Sequence, residues 1–539
     1  MKASDLFLEI LIKNGVKTIY GVPGEENLDL IDSLRKSGKI ELILTRNEQT
    51  AVFMAATYGR LTGEVGVAIA TLGPGATNMV TGVAYAQLGG FPIMVITGQK
   101  PIKKSKQGQF QIIDVVGMMK PITKFSSSIV SGDRIPYILN NAFRIAKSER
   151  PGAVAIEFPE DIAAENVDVN LENYNIQKIR RPIIDEKSIL ILKKELESAK
   201  SPIILIGAGA NRKRITKYLG EFIKKYNIPF FSSQMGKGVI SEDFKEYLGT
   251  AALTSGDYIH DAIEKSDLIL SVGYDPIEKP THLIGNGQTK NIHINFYESH
   301  LDEVYNPYYE IIGDIASTFW QLSEIKIDNS NWNFDEIYEI KNNYEKLIQE
   351  NIALEVESEN IMGPRQLVED VRSVLDKDDI VALDNGLYKV WFARNYKTYS
   401  PNTLLLDNAL ATMGAGVASG LEAKRINLNK NVVVVTGDGG LVMNLGDLET
   451  VVRLGIDLTV VVLNNSSYGM IKWKQTGSNM PEWGLDFGNP DFVSLAKSFG
   501  GKGYKVENKH YFRAVLDAAN KEKGLKIIDL KFDYPVEIK

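Results

Sequence analysis

Cysteine is absent from all 539 residues. That absence excludes disulfides, thiolate nucleophiles and thiolate metal sites together, and it fits a reducing cytoplasm. Positive charge is not in excess either: 61 Lys and Arg stand against 68 Asp and Glu, a net charge of -7. This balance argues against a nucleic-acid or anionic-membrane surface. No apolar run approaches the length that crosses a bilayer. Leu6-Phe7-Leu8 is flanked by Asp5 and Glu9, so Ser4 to Ile12 reads as an amphipathic helix rather than an export signal. A Gly-x-x-x-x-Gly-Lys-Ser/Thr loop is missing, which disfavours ordinary nucleotide hydrolysis. The expectation is a soluble, cytoplasmic chain without nucleic-acid or membrane partners. Its apolar content of 44% gives ample burial capacity.

What is present is more specific. The run Asn431-Val-Val-Val-Val435 leads into Thr436-Gly-Asp-Gly-Gly440, and Leu458-Thr-Val-Val-Val-Leu463 leads into Asn464-Asn465. Each is a β-prone run ending in small or polar residues, with a helical pattern between. In an open parallel sheet such a strand–helix–strand unit brings both carboxyl ends to one edge. Asp438 and Asn465 then face one crevice. A carboxylate and an amide oxygen beside a glycine-lined helix start suit magnesium that keeps phosphate oxygens as further ligands. Either piece alone reads better as an ordinary turn; the pair at this spacing favours the metal and diphosphate reading.

The length predicts about three domains. Composition separates three α/β segments, at 1–165, 186–330 and 360–539. The first alternates strands such as Val65 to Ala70 and Ile93 to Thr97 with helical patterns. Polar residues from Glu165 to Asp185, and charged, helix-prone ones from Asn331 to Asn360, read as connectors. The middle segment opens with Pro202-Ile-Ile-Leu-Ile206 and Gly207-Ala-Gly-Ala210, which lacks the full dinucleotide fingerprint and fits a plain turn better.

Other constellations are ambiguous by themselves. Glu48 opens a helix carrying Ala51, Ala55 and Ala56, and taken alone it reads as a solvated helix-start carboxylate. Thr71-Leu-Gly-Pro-Gly-Ala-Thr-Asn78 follows a strand and precedes a helix, so its glycines allow close backbone approach to a ligand or simply make the turn. Gly386-Leu387-Tyr388 and Ala411-Thr412-Met413-Gly414 fit a flat ligand wedged on an apolar side chain, or plain core packing.

In this order the pieces resemble the thiamine-diphosphate enzymes, and specifically the acetolactate synthase large (catalytic) subunit group, over nearly the whole chain. The resemblance implies three doubly wound parallel-sheet α/β domains: pyrimidine-binding, central and diphosphate-binding. By analogy Asp438, Asn465 and the carbonyl of Ser467 bind Mg2+. Gly24, Asn78, Gly386, Leu387, Tyr388, Gly439 and Gly440 line the cofactor, with Tyr468, Gly469 and Met470 continuing that segment. Met413 is the wedge that bends the cofactor, and the Ala411 carbonyl accepts from its aminopyrimidine. Glu48 matches the glutamate that hydrogen-bonds the pyrimidine ring and exchanges a proton with it. In this family Glu48 comes from one subunit and Asp438 from the other, which implies a homodimer or tetramer. A regulatory small subunit accompanies some members.

Gln109-Phe110-Gln111, Asp114 to Gly117 and Pro121-Ile-Thr-Lys124 are similar to the synthase substrate loop. Phe110 then packs on the acceptor and Gln111 hydrogen-bonds it. The chain also departs from the pattern. Asn47 stands where His usually precedes the glutamate. Glu25 follows Pro23-Gly24 as in the pyruvate decarboxylase branch, where it would face substrate; yet none of the five histidines lies before His260, unlike that branch. Lys474 falls near the selectivity tryptophan of biosynthetic enzymes, with Trp473 adjacent. The family allows FAD in the central domain, whereas Gly273-Tyr-Asp-Pro-Ile-Glu278 is similar to flavin-independent catabolic members.

The expected activity is a transferase one: pyruvate is decarboxylated and its two-carbon unit joined to a second 2-oxo acid, in branched-chain amino acid biosynthesis or a catabolic role. The alternatives are a non-oxidative 2-oxo acid decarboxylase, another lyase or carboligase of the superfamily, and a cofactor-binding regulatory protein.

Overall fold

β-Branched runs such as Val432 to Val435 fold as strands buried on both faces, the pattern of parallel sheets covered by helices. The computed structural model describes residues 1–103, 108–171, 174–251, 258–278, 289–301, 303–357 and 362–534. Three six-stranded parallel sheets with interleaved helices lie within them. The two ends of the expected third segment, at 360 and 539, lie outside the described residues.

The first sheet contains β1 (Thr18–Gly21), β2 (Glu41–Leu44), β3 (Gly66–Ala70), β4 (Ile93–Gln99), β5 (Phe125–Ser128) and β6 (Ala153–Pro159), in the order β2-β1-β3-β4-β6-β5. The second contains β7 (Pro202–Ile206), β8 (Phe230–Ser232), β9 (Tyr247–Thr250), β10 (Leu268–Val272), β11 (Lys290–Asn295) and β12 (Tyr309–Ile312), in the order β12-β11-β10-β7-β8-β9. The third contains β13 (Ile380–Leu383), β14 (Leu404–Leu405), β15 (Val432–Gly437), β16 (Leu458–Asn464), β17 (Lys502–Val506) and β18 (Leu525–Lys531), in the order β14-β13-β15-β16-β18-β17.

The first and third sheets share one topology, with the strand order reversing at β1/β3 and at β13/β15. The second has the order of dinucleotide-binding sheets, reversing at β7/β10. Ligands of open α/β sheets sit beyond the carboxyl ends of strands at such points. Contacts along the chain form two compact units. One holds Met1–Arg180, Ala409–Leu428 and Leu441–Ile456; the other holds Arg181–Asn408, Asn429–Gly440 and Asp457–Lys539. The first sheet belongs to the first unit, and the second and third sheets to the other.

The amphipathic start is a helix at Ala3–Lys13, and the charged connector carries one at Asp335–Glu357 whose side chains are mostly exposed. The helical pattern between β15 and β16 is three short pieces rather than one helix: Asp438–Met443, a 3-10 turn at Leu445–Asp447, and Leu448–Arg453. Asn444 makes the break, because its Nδ2 leaves the helix to donate to the Gly414 carbonyl at 2.8 Å. Among the described residues no helix is long and apolar enough to cross a membrane.

Candidate active site

Parallel pairing of β15 with β16 sets Gly437 against Leu463, so Asp438 and Asn465 stand on adjoining strand tips. Asp438 is 2% exposed, and its carboxylate accepts from four donors. Gly439 N–H donates to Oδ1 at 2.8 Å; Asn465 N–H at 3.1 Å, Ser466 N–H at 2.6 Å and Asn489 Nδ2 at 2.8 Å donate to Oδ2. The Asn465 Oδ1 accepts from Ser467 N–H at 3.4 Å. Residues 466–468 zip against 485–487 through Phe487 N–H to the Ser466 carbonyl and Tyr468 N–H to the Leu485 carbonyl. The Tyr468 and Phe487 rings lie 4.9 Å apart.

At the β13/β15 reversal the glycines are needed for space. A Cβ on Gly440 would meet Asp384 Oδ2 at 2.5 Å, and one on Gly386 would meet Tyr388 Cε1 at 2.4 Å. Leu387 and Tyr388 are buried beside them. On this edge one carboxylate, one amide oxygen and backbone carbonyls offer hard donors, too few to satisfy a divalent ion by themselves. Consistently, no three His, Asp or Glu among the described residues form a metal cluster. The buried Ser467 Oγ and Asn489 Oδ1 have no protein partner. This donor set fits magnesium that arrives with phosphate oxygens. Gly469 opens the helix Gly469–Gly477, where a Cβ would strike the Tyr534 ring at 2.4 Å. Met470 on that helix is half-buried, and Lys474 is exposed with Nζ 4.6 Å from the Trp473 ring centre.

In the first unit Asn47 caps the helix Glu48–Thr62, its side chain accepting from Gln49 N–H at 2.8 Å. A local task thus explains that residue type. The half-buried Glu48 accepts from Asn78 Nδ2 at 2.9 Å, and its Oε1 lies 3.4 Å from where a Gly75 Cβ would stand. Gly24 packs on Thr71, whose Cβ is 2.3 Å from a Cβ built on the glycine. The Gln111 carbonyl comes to 2.9 Å from the equivalent point of Gly73, so the predicted substrate loop rests on the turn beside Glu48. Phe110 is 64% exposed. Lys124, from the tail of that loop, instead donates to the carbonyls of Ile145, Ser148 and Arg150 at 2.6 to 2.7 Å, closing the helix Ile135–Lys147. Ala411 is exposed and Met413 half-buried, just before Gly414 with φ +87°.

Backbone conformation singles out the same segments. Six non-glycine residues among those described have positive φ. Asn227, Asn402 and Asn479 tolerate it; the other three are Gln111 (59°), Ala411 (55°) and Ser466 (52°). All three lie in predicted site segments, where such cost is commonly retained for function.

Among the described residues, those of the central crevice tell against FAD. Gly207 and Gly209 pack against Gly273 across the β7/β10 reversal, with Gly209 N–H donating to the Gly273 carbonyl at 2.8 Å. The fully buried Glu278 takes the donors a phosphate would need. Ala208 N–H at 3.3 Å and Ser233 Oγ at 2.9 Å donate to Oε1, and Met235 N–H at 2.9 Å to Oε2. These residues do not fit a dinucleotide. Burial pushes Glu278 up from 4.5 to about 7. A carboxyl raised on folding contributes stability that is complete below about 4.5 and lost as pH rises through about 7, here about 3 kcal/mol. Calorimetric unfolding from pH 5 to 8 should show a decline that is flatter in Glu278→Gln; equal slopes would contradict this account.

Sequence patterns alone miss several residues beside the predicted ones in each unit. Glu26, not its exposed neighbour Glu25, is buried beside Gly24, with Lys100 Nζ at 2.5 Å and Thr71 Oγ1 also donating to it. Asn489 reaches Asp438 from 51 positions away, with only a Gly-Asn-Pro turn as a local signal. Buried Lys389 bridges Asn385 Oδ1 at 2.6 Å and the Asp407 carbonyl at 2.8 Å, and burial pushes it down to about 8.

Comparison with known proteins gives the family. Residues 1–118 match the N-terminal TPP binding domain of thiamine pyrophosphate enzymes, 191–322 the central domain, and 384–530 the C-terminal TPP binding domain. The chain is 32% identical to the acetolactate synthase of Bacillus subtilis, over 99% of this chain and 93% of that one. It is 28% identical to the catabolic acetolactate synthase of Raoultella terrigena, over 98% and 95% of the two chains. To the large subunit of acetolactate synthase isozyme 3 of Escherichia coli it is 29% identical, over 100% and 97%.

Proposed function

Because the chain belongs to the thiamine pyrophosphate enzymes, and within them stands with the acetolactate synthases, we propose that it decarboxylates pyruvate and joins the resulting two-carbon unit to a second 2-oxo acid. With pyruvate as acceptor the product is 2-acetolactate. The observation that carries this reading is near-full-length similarity to acetolactate synthases, joined to the Asp438–Asn465 strand edge.

Bound thiamine diphosphate supplies the nucleophilic carbon and the electron sink that both steps require. Asp438, Asn465 and the Ser467 carbonyl would hold Mg2+, and the backbone of Gly386 to Tyr388, Gly439 and Gly440 would line the diphosphate. Tyr468, Gly469 and Met470 border it, and Ala411 and Met413 support the ring portion. Glu48, oriented by the Asn78 amide, would exchange a proton with the pyrimidine through its carboxyl. Phe110 and Gln111 receive the acceptor, and Gly24 backs Thr71. Glu25 and Lys474 set substrate preference at the edges. FAD takes no part.

The chain acts in the cytoplasm as a homodimer or tetramer, with Glu48 of one copy serving Asp438 of another. Relatives named as large subunits support a small regulatory partner as well. Branched-chain amino acid biosynthesis and a catabolic role both fit the relatives. Pyruvate, Mg2+ and thiamine diphosphate are expected to yield acetolactate, and added 2-ketobutyrate tests the acceptor. Exposed Glu25 after Pro23-Gly24 favours one rival, simple decarboxylation. Acetaldehyde as the sole product would move the protein there.

A further inference from the structure

The first sheet carries a buried ion pair at its strand-order reversal that the reaction above does not use. Glu26 and Lys100 are 4% and 5% exposed, and their charged atoms lie 2.5 Å apart. Lys100 follows β4, and Glu26 lies in the turn after β1. Glu26 fits there because position 98 is glycine: a Cβ on Gly98 would meet the Glu26 Cβ at 2.8 Å. Its second oxygen accepts from the hydroxyl of Thr71, the first residue after β3. Burial pushes Glu26 up, yet the hydrogen bonds from Lys100 and Thr71 outweigh it and hold the carboxyl below its ordinary value. Glu26 is therefore an anion and Lys100 its counter-charge.

Thr71 is the foot of the turn that touches Glu48. A Cβ on Gly75 would lie 3.0 Å from Thr71 Cγ2 and 3.4 Å from Glu48 Oε1, so Gly75 is the spacer between them. The turn is closed by Gly75 N–H to the Leu72 carbonyl at 3.1 Å and Thr77 N–H to the Gly73 carbonyl at 2.9 Å. Its last residue is Asn78, whose amide holds the Glu48 carboxylate. The connection thus runs from Lys100 through Glu26 to Thr71, then along the 71–78 turn to Asn78, whose amide meets Glu48.

We infer that Glu26, neutralised by Lys100, is a positioning residue that acts through the Thr71 hydroxyl to hold the 71–78 turn, and with it the carboxylate of Glu48. A carboxylate is needed because Thr71 must donate while Lys100 is bonded to the same group. Lys100 is needed because an unpaired buried anion would be expelled or protonated. A proton-transferring group loses rate steeply when its placement slips by a fraction of an ångström.

The inference rests on the proposed role of Glu48, and the test separates the two. Thr71→Val keeps shape and removes the hydroxyl, Thr71→Ser restores it, and Glu26→Gln weakens the acceptor. With pyruvate, Thr71→Val and Glu26→Gln are expected to lower kcat about 10-fold with KM unchanged, while Thr71→Ser stays near the wild-type rate. Melting temperature and thiamine diphosphate Kd should change little in the Thr71 variants, whereas Glu26→Gln leaves Lys100 without its buried counter-charge and is expected to lower the melting temperature as well. A wild-type rate in Thr71→Val, or equal losses in Thr71→Val and Thr71→Ser, would overturn the inference. If the wild type itself forms no product from 2-oxo acids, the proposed reaction fails instead. Hydrogen exchange then still decides the positioning claim: amides of 73–78 should exchange faster in Thr71→Val, and unchanged exchange would refute it.

Discussion

Glu48→Gln is expected to lower kcat by about 10²- to 10⁴-fold, the range for removing a positioned acid–base group. Glutamine keeps the length and volume of the side chain, and its carbonyl oxygen can still accept from Asn78 Nδ2, which meets Glu48 at 2.9 Å. Fold and cofactor affinity should therefore survive, and what is lost is the exchangeable proton. The measurement is steady-state turnover with pyruvate beside calorimetric titration of thiamine diphosphate. A variant that binds cofactor and turns over like wild type would remove Glu48 from the chemistry. Cofactor binding without turnover in either form would favour a regulatory role for the chain.

Asp438→Asn should weaken metal binding, raising the Mg2+ requirement for cofactor retention by about 100-fold or more. The argument is one of charge and donors. Asp438 is the carboxylate among the proposed ligands, so the substitution removes the anion that opposes the ion. It also sets an amide NH2 among four groups that donate to the native side chain: Gly439, Asn465 and Ser466 N–H and Asn489 Nδ2. Local rearrangement of the 465–468 turn is expected as well, because a buried donor facing donors is costly. Calorimetric titration of thiamine diphosphate at a series of Mg2+ concentrations, with the melting temperature of cofactor-free protein as control, tests this. Unaltered Mg2+ dependence in a folded variant would dismiss the strand-edge ion site.

Much of the site is legible in the order of residues along the chain. Asp438 and Asn465 each end a valine-rich run, and a strand–turn–helix pattern is local enough to be read from spacing. Glu48 falls at a helix start for the same reason, although its role comes from resemblance. Other features are invisible in the sequence because their partners are remote. Glu26 finds Lys100 at a separation of 74 residues, and Glu278 finds Met235 at 43. At positions 25 and 26 the sequence offers two adjacent carboxylates and no means of telling which is buried. Lys124 belongs to a substrate motif by sequence, yet its ammonium caps a helix whose end it meets only after folding. The helical pattern after Asp438 looks continuous because periodicity does not reveal that Asn444 turns aside toward Gly414.

By itself the sequence determined the strand runs, the glycine turns at their ends, the thiamine-diphosphate motif and the exclusion of thiol chemistry, since all of these depend on residue type and short spacing. Tertiary structure alone decided the order of the strands in each sheet, the burial of Glu26 against Lys100, and the closing of the central crevice by Glu278. The physical reason is that parallel strands are joined by long crossovers. Groups that meet at a sheet edge therefore carry no fixed spacing along the chain, and their charges acquire partners only when the edge is assembled.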